Sequence, residues 1–187
     1  MRRIESWMDE DWLEENNNDI VKDFIFNKFK LEDPLSINNP QACITIDLTS
    51  IKMCKRVRAA VCILADLLNA DEFIFCEYGV IGIDQQRRYI KGHPNKENCF
   101  EFKSEAEDRW YAYDNITYIR VNKERFRFDR YVQDVIYKNY FWNNYYFISL
   151  NHNFAVRMYD ERGISIVYEN ITPLKKVLAS YKDLINF

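Results

Sequence analysis

Carboxylates at the ends of predicted strands are the side chains of this sequence best placed for chemistry. Asp47 ends one predicted strand, Glu77 lies in the next, and Asp160 ends another near the C-terminus. Two carboxylates that converge can move protons or hold Mg²⁺. Asp47 alternates with the apolar residues of its strand, so we expect it on the exposed side. An enzyme with a carboxylate site, in one version magnesium-dependent, is therefore one alternative function.

Residue types that support other chemistries are sparse. The two histidines, His93 and His152, are far apart and stand in turn-like sequences, so they predict no metal site. The five cysteines form no Cys-x-x-Cys pair, and we expect small buried thiols in a reducing compartment. Four glycines in the whole chain leave no glycine-rich phosphate loop. The sequence therefore predicts no cofactor, no metal and no catalytic residues.

A basic stretch gives a second alternative. Arg120 to Arg130 also contains Lys123, Arg125 and Arg127, and aromatic residues lie among them. Basic and aromatic side chains on one surface can bind nucleic acid. The whole chain has a formal net charge of -3, however, and nucleic-acid-binding domains usually carry a basic excess. We therefore expect no nucleic-acid partner and interpret this stretch as a solvated face.

The first nineteen residues form a strongly acidic segment, here called the acidic arm. It has seven acidic residues against two arginines, a net charge of -5, which leaves +2 on the remaining chain. Two tryptophans, Trp7 and Trp12, lie within it. Two interpretations stay open: a helix docked by its tryptophans, or a partner-binding arm. The residues we predict to bind a partner here are Trp7, Asp9, Glu10, Asp11, Trp12, Glu14 and Glu15.

Aromatic residues are unusually abundant for a chain of 187 residues. There are 13 Tyr, 13 Phe and 4 Trp, more than a core needs, so part of the set is expected on the surface. The stretch from Trp110 to Phe147 is the richest. From it we select Tyr140, Trp142 and Tyr145 as predicted partner-binding residues, because tyrosine and tryptophan dominate the energetics of protein interfaces. This composition favours a binding protein over an enzyme.

The N-terminal half predicts a strand–helix–strand unit. Asp19 begins a predicted helix to about Lys30, with Ile20, Phe24 and Phe29 facing inward. Period-two alternation predicts a strand over 42–48, and helical spacing predicts a helix over 51–69 that Thr49 or Ser50 caps. A nearly continuous apolar run over 73–78 predicts a central strand. A helix of this length can serve as a crossover, which would make the two strands parallel.

The C-terminal half predicts an antiparallel meander between helices. Strands are expected over 115–122, 145–150, 154–159 and 164–168, and helices over 124–139 and from Thr172 onward. Gly163 is suited to a left-handed bulge position. No linker divides the chain. We therefore predict a single α+β domain, residues 1–187, with a mixed or mostly antiparallel sheet packed with helices and with residues 1–19 as an acidic arm or helix.

The C-terminal hairpin and helix carry a family resemblance. The run from Val156 to Ile166, preceded by Tyr-Tyr-Phe-Ile-Ser and followed by a Leu-x-x-x-Leu-x-x-Tyr helix, resembles a bacterial domain family of unknown function. That family has a YFIN…MYDDRGxDI hairpin signature. Glu161 and Ser165 replace two of its acidic positions, so the resemblance implies no catalytic or metal role for the hairpin. Its members look like proteins encoded beside bacterial polymorphic toxins, which implies an immunity protein.

The leading functional expectation follows from the arm and the resemblance together. An immunity protein binds and neutralises a cognate toxin, such as a contact-dependent or polymorphic toxin nuclease domain, and it is not itself an enzyme. Nuclease domains bind phosphate backbones and are therefore basic, which suits an acidic partner. The sequence begins without an apolar signal segment and has no run approaching about 18 apolar residues. We therefore expect a cytoplasmic protein with a protein toxin as partner and no membrane association.

Overall fold

The computed structural model describes seven stretches of the chain. These are residues 43–69, 72–78, 88–92, 99–103, 115–138, 144–149 and 151–186. The acidic arm, the predicted helix after Asp19 and His93 lie outside the described residues.

The described strands form one sheet. They are β1 (Cys43–Asp47), β2 (Glu72–Tyr78), β3 (Cys99–Lys103), β4 (Asn115–Asn122), β5 (Asn144–Ser149), β6 (Phe154–Asp160), β7 (Gly163–Tyr168) and β8 (Ile185–Asn186). Their order across the sheet is β3-β4-β2-β5-β6-β7-β1-β8. Every neighbouring pair is antiparallel. The predicted α+β class is confirmed, and the sheet is antiparallel throughout its described part.

The strand–helix–strand unit is present, but its two strands are not neighbours. β5, β6 and β7 lie between β1 and β2. Because each of the four intervening pairings reverses direction, β1 and β2 run the same way without sharing a hydrogen bond. The predicted parallel direction of β1 and β2 is therefore correct, but the helix between them does not connect neighbouring strands. The C-terminal meander supplies antiparallel partners for both strands, and an antiparallel ladder is slightly more stable per residue than a parallel one.

Three helices accompany the sheet in the described stretches. They are α1 (Met53–Leu67), α2 (Phe128–Lys138) and α3 (Lys175–Ser180), with short 3-10 turns at Lys123–Arg125, Thr172–Leu174 and Lys182–Leu184. The long helices bury one apolar stripe each, for example Ile63 and Leu64 of α1 and Val132 and Val135 of α2. Within the described residues, no helix is long and apolar enough to cross a membrane.

The main core fills the space between the helices and one face of the sheet, here called the first face. Strand alternation sends Phe73 and Phe75 of β2 and Phe147 of β5 to this face. Phe126 and Tyr131 close over them, with ring centroids 4.9 Å and 5.8 Å from that of Phe75. Most of these ring pairs are edge-to-face, the geometry that aromatic quadrupoles favour. Aromatic residues therefore build the core of this half of the sheet.

The opposite side, here called the second face, is buried as well. It is formed by the alternate residues of the same strands, and these are nearly inaccessible to solvent. Ile74, Cys76, Tyr146, Ile148 and Ala155 are all 3% exposed or less. The prediction that β2 is a central strand buried on both faces is thus confirmed.

Several side chains lie elsewhere than predicted. Cys54 and Cys62 are exposed on α1, so the expectation of buried thiols is wrong for these two, whereas Cys76 is buried. Cys43, Cys54, Cys62 and Cys76 form no disulfide. Met53, the first residue of α1, is 46% exposed, whereas Ile63 of the same helix is buried in the core.

The predicted turn and cap residues also need correction. Among the described residues, positive φ angles occur at Asn153 (51°) and Gly92 (77°), and Gly163 is not one of them. Gly163 instead pairs in the ladder with Asp160 and with Asp47, so it is an extended strand residue. Neither Thr49 nor Ser50 caps α1, whose N-cap position is Lys52 without a side-chain hydrogen bond.

Candidate functional site

Nine of the ten predicted partner-binding residues lie outside the described residues. They are Trp7, Asp9, Glu10, Asp11, Trp12, Glu14, Glu15, Tyr140 and Trp142. Their roles stay predictions. The tenth, Tyr145, is in β5 and can be placed.

Tyr145 is a core residue and not a surface anchor. Its side chain is 3% exposed, and its ring stacks on Phe75 with centroids 5.1 Å apart and planes 9° from parallel. Tyr89 and Tyr131 meet its ring edge-to-face at 5.9 Å and 5.7 Å. The selection of Tyr145 for partner binding is therefore wrong in this fold, because strand alternation turns it toward the helices together with Phe147.

The candidate carboxylates separate into two groups. Asp47 of β1 and Asp160 of β6 each pair with Gly163 of β7, which lies between them. The two aspartates therefore lie at the same end of three neighbouring strands. Two strand spacings put their backbones about 10 Å apart. Glu77 lies in β2, four strands from β1, which is about 19 Å. The structure therefore brings together two of the three carboxylates named for an enzymatic site.

Local hydrogen bonds engage both of these carboxylates. Asp160 Oδ1 accepts the Arg162 backbone N–H at 2.7 Å, and Oδ2 accepts Arg162 Nε at 2.6 Å. Asp47 Oδ1 accepts the Thr49 backbone N–H at 2.7 Å. Each aspartate thus closes the turn that follows its strand, a common role for this residue. The geometry fits a turn-stabilising function for both.

Arg56 connects α1 to the turns at this end of the strands. Its Nε donates to the Ile51 carbonyl at 2.9 Å and Nη2 to the Thr49 carbonyl at 3.1 Å. Nη1 reaches the Glu161 carbonyl at 3.4 Å, at the edge of hydrogen-bonding distance. One guanidinium therefore bridges the loop after β1 and the turn between β6 and β7. Arg56, a basic residue in the first turn of α1, therefore has a structural role.

The basic stretch from Arg120 to Arg130 does not form one continuous surface. Arg120 is half-buried on the second face of the sheet, where its pairing with Ile74 places it. Lys123 Nζ donates to Asn69 Oδ1 at 2.9 Å, and the Arg125 guanidinium donates to the Lys91 carbonyl at 3.2 Å. Arg130 is exposed on α2. These cations therefore point in different directions, with two engaged in packing loops onto the domain.

The structure reveals a buried polar network that the sequence analysis missed. Asp134 of α2 is 5% exposed, and its Oδ2 accepts Arg88 Nη2 at 2.6 Å and the Tyr89 hydroxyl at 3.2 Å. Lys138 Nζ lies 2.5 Å from Oδ1. Arg88 Nη2 also donates to the Tyr89 hydroxyl at 2.6 Å. Three side chains thus share the carboxylate of Asp134, and the four residues together are here called the Asp134 network.

Protonation within the Asp134 network follows from burial and charge. Burial opposes the ionised form of Asp134, but the hydrogen bond from Lys138 and the positive charge of Arg88 outweigh it, and the pKa of the carboxyl falls below its ordinary value. Burial also raises the pKa of Tyr89, so that hydroxyl stays protonated and can donate. The network therefore holds a charged carboxylate and neutral phenol across the physiological pH range.

The Asp134 network fastens the segment 88–92 to α2. Backbone hydrogen bonds also join this segment to the residues just before α2. Arg127 N–H donates to the Tyr89 carbonyl at 2.7 Å, and Lys91 N–H donates to the Arg125 carbonyl at 2.8 Å. Both carboxylate oxygens of Asp134 contact neighbouring cations or the Tyr89 hydroxyl. This arrangement suits a residue that stabilises the fold. The one sequence signal was the i, i+4 spacing of Asp134 and Lys138, which predicts a helical ion pair but not its burial.

Within the described residues, no group of three or more His, Cys, Asp or Glu side chains is placed to hold a metal ion. The described polar groups therefore have structural roles: Asp47 and Asp160 stabilise turns, and the Asp134 network holds the segment 88–92 against α2. The remaining predicted binding residues lie in the acidic arm and around Tyr140.

Comparison with known proteins adds a family. A search of curated proteins and a search of solved structures found no match. A family model described as a domain of unknown function, DUF3885, matches residues 21–186. This range includes the hairpin and the C-terminal helix that carried the resemblance, and it starts after the acidic arm. Because the match covers most of the sequence, the chain belongs to the DUF3885 family of domains of unknown function.

Proposed function

We propose that this protein is an immunity protein that binds and neutralises a basic bacterial toxin domain through its acidic arm. The observation that carries the proposal is the segregation of charge along the chain. The first nineteen residues have a net charge of -5, whereas the rest carries +2. A carboxylate-rich segment with two tryptophans suits a cationic protein surface.

Electrostatics favours this partner class in two ways. Opposite potentials steer two proteins together and raise the association rate well above that of neutral surfaces. Tryptophan side chains can then bury large apolar areas at the contact, as interface hot spots do. A nuclease toxin offers the matching surface, since it must bind phosphates. In this proposal the carboxylates of the arm occupy the site that the nucleic acid would use.

The limits of the family match support a separate role for the arm. The match begins at Val21, after the seven carboxylates and both tryptophans. The family domain therefore does not include the segment with the strongest charge. In our proposal, the domain serves as a scaffold and the arm supplies the contact specific to this chain. Tyr140 and Trp142 are the second proposed contact, and Tyr145 is withdrawn from it because it lies in the core.

The test begins with partner capture. The tagged full chain is co-expressed with the product of the neighbouring gene, and the complex is identified by native mass spectrometry. We expect a stoichiometric complex with a basic toxin domain. A chain that remains alone under these conditions would contradict the proposal.

Charge reversal then locates the contact. In the arm variant, the five carboxylates Asp9, Glu10, Asp11, Glu14 and Glu15 are all changed to Lys. The matched control reverses five exposed carboxylates of the domain, Glu72, Glu124, Asp129, Glu169 and Asp183. Both variants change the net charge equally. We expect at least a 100-fold weaker, salt-sensitive affinity and loss of protection only for the arm variant. Equal losses in both variants would show a general charge effect and overturn the proposed contact.

A further inference from the structure

The start of α1 presents a compact group of positive charges. Lys52, Lys55 and Arg58, here called the α1 cations, are exposed and span about 9 Å along the helix. In the described part of the protein, none of them forms an ion pair or a side-chain hydrogen bond. The first turn of α1 contains no acidic residue, and the single carboxylate of the helix, Asp66, lies about two turns beyond Arg58. The α1 cations are therefore available to a partner.

These charges act against the helix that carries them. The N-terminus of a helix has unsatisfied N–H groups and a partial positive charge, so it favours carboxylates and disfavours cations. No side chain caps α1, whose N-cap residue is Lys52. Local rules of this kind are commonly broken at functional sites. The position of the α1 cations therefore favours a role in binding over a role in stability.

The fold holds the α1 cations on a rigid element. Arg56, in the same turn, donates to the carbonyls of Ile51 and Thr49 and so fixes the loop between β1 and the helix. On the inner side of α1, Ile63 is buried in the core. Met53, 46% exposed, adds an apolar group beside the cations, and methionine is enriched at protein interfaces. A surface ordered in advance loses little entropy on binding.

A cluster of protein carboxylates suits this surface better than a nucleic acid does. The α1 cations span only about 9 Å, whereas a nucleic acid presents an extended row of phosphates. The whole chain has a net charge of -3, and the acidic arm carries -5, so a long polyanion is repelled. A compact acidic patch on an otherwise basic protein avoids both difficulties.

A nuclease toxin, the partner proposed above, can carry both kinds of charge. Its substrate groove is basic because it binds phosphates, and two-metal nucleases hold their divalent ions with carboxylates at the reacting phosphate. We infer that the α1 cations contact the metal-holding carboxylates of the toxin, while the acidic arm contacts its basic groove. This contact rests on the proposed function and adds to it a mode of inhibition, in which the cations take the place of the metal ions.

Charge reversal tests the contact in the full chain. In the α1 variant, the three α1 cations are changed to Glu. The matched control changes three exposed cations elsewhere on the domain to Glu: Arg130, Lys176 and Lys182. Both variants become more acidic by the same amount, so a general attraction to a basic toxin strengthens equally in both. We expect the affinity for the captured toxin to fall about 30-fold in the α1 variant and to stay equal or rise in the control. Equal affinities of the two variants would overturn the inference.

Stability measurements separate binding from folding. Carboxylates at the start of α1 interact favourably with the helix dipole, so we expect the urea midpoint of the α1 variant to equal or exceed that of the parent protein. Weaker toxin binding with unchanged or higher stability supports a binding role. A loss of toxin binding that accompanies a lower urea midpoint would point to a structural role and overturn the inference.

Changes in the toxin locate the other side of the contact. The captured toxin is prepared with its metal-holding carboxylates changed to the corresponding amides. Against this toxin, the parent chain and the α1 variant should bind within about 3-fold of each other, because the same charge pairs are already broken. An undiminished difference between the two chains would overturn the inference, as would a toxin without such carboxylates.

The outcomes also separate this contact from the proposed function. Failure to capture any toxin would contradict the proposed function, and the contact with it. A complex that depends on the acidic arm but not on the α1 cations would overturn only the contact. Salt-sensitive binding of a free oligonucleotide by the parent chain, lost in the α1 variant, would also overturn it, because nucleic acid would then be the partner of the α1 cations.

Discussion

Two buried aspartates of this protein are held in opposite ways. Asp134 and Asp160 are 5% and 6% exposed, and each accepts hydrogen bonds from an arginine. The partners of Asp160 are the backbone and side chain of Arg162, two residues away. Asp134 binds Arg88 and Tyr89, which lie 46 and 45 positions away in the sequence. Similar burial thus serves a local turn in one case and a tertiary contact in the other.

The difference shows what a buried charge can contribute. The Asp160 contacts can form as soon as the turn does, and they restrict only a few residues. The Asp134 contacts exist only when α2 and the segment 88–92 have come together. Removing Asp134 should therefore disturb the packing of two elements, whereas removing Asp160 should disturb one turn.

The largest effect is expected for Asp134→Ala. The change leaves Arg88, with a side chain only 23% exposed, and the buried Tyr89 hydroxyl without their shared acceptor. We expect the free energy of unfolding to fall by about 3 kcal/mol, the low end for a broken buried ion pair because Arg88 is partly solvated. Urea denaturation measures it. Lys138→Ala is the control: its side chain is 54% exposed, so it should cost about 0.5 kcal/mol.

The contribution of Asp134 should also depend on pH. Its pKa is lower in the folded protein than its ordinary value of 3.8, so the carboxylate stabilises the fold above that pH. As the pH falls through the depressed folded pKa, this stabilisation is lost. The stability difference between the parent protein and Asp134→Asn should be constant from about pH 6 to 8 and shrink below about pH 4. A difference that grows on acidification would contradict this assignment.

A smaller loss is expected for Asp160→Ala. The Arg162 side chain is 62% exposed, so its guanidinium can return to water, and only the Arg162 N–H loses a well-placed acceptor. We expect destabilisation of about 1.5 kcal/mol. Amide hydrogen exchange should show the loosening confined to the turn between β6 and β7. Exchange that also rises in α2 would mean that this aspartate couples distant elements after all.

The smallest change is expected for Tyr89→Phe. The ring keeps its edge-to-face contacts with Phe75 and Tyr131, but the hydroxyl no longer links Arg88 to Asp134. The expected loss is about 1 kcal/mol. In a double-mutant cycle with Asp134→Ala, the two losses should not add, because both remove the same contact. Full additivity would show that the hydroxyl acts outside the Asp134 network.

The sequence predicted local structure better than distant pairing. Period-two alternation located β1, and helical spacing located α1 and α2, because these patterns depend on residues a few positions apart. It could not show that three later strands separate β1 from β2. That arrangement depends on ladders between remote segments, such as Ile44 with Ile166. Strand pairing leaves no mark in one strand's own sequence, so the sequence did not predict that β7 and β8 are the neighbours of β1.

The same limit governs the candidate site. The partners of Asp160 are adjacent to it in sequence, whereas Asp134 was not singled out, because Arg88 and Tyr89 are remote from it in sequence. Tyr145 was selected as a surface anchor because an aromatic-rich stretch does not reveal which rings face inward. Its burial follows from its place opposite Glu77 in the β2–β5 register. The acidic arm is conspicuous in sequence because net charge requires no knowledge of tertiary contacts.

The position of β1 has a consequence for how the protein is made. β1 is translated well before its ladder partners, which are β7 and the two-residue β8. While the ribosome is still adding the intervening residues, β1 has no partner strand, and its apolar side is open to solvent or chaperones. The sheet is completed only when Asn186 pairs with Thr45. A nascent chain halted before β7 would therefore be a target for quality control.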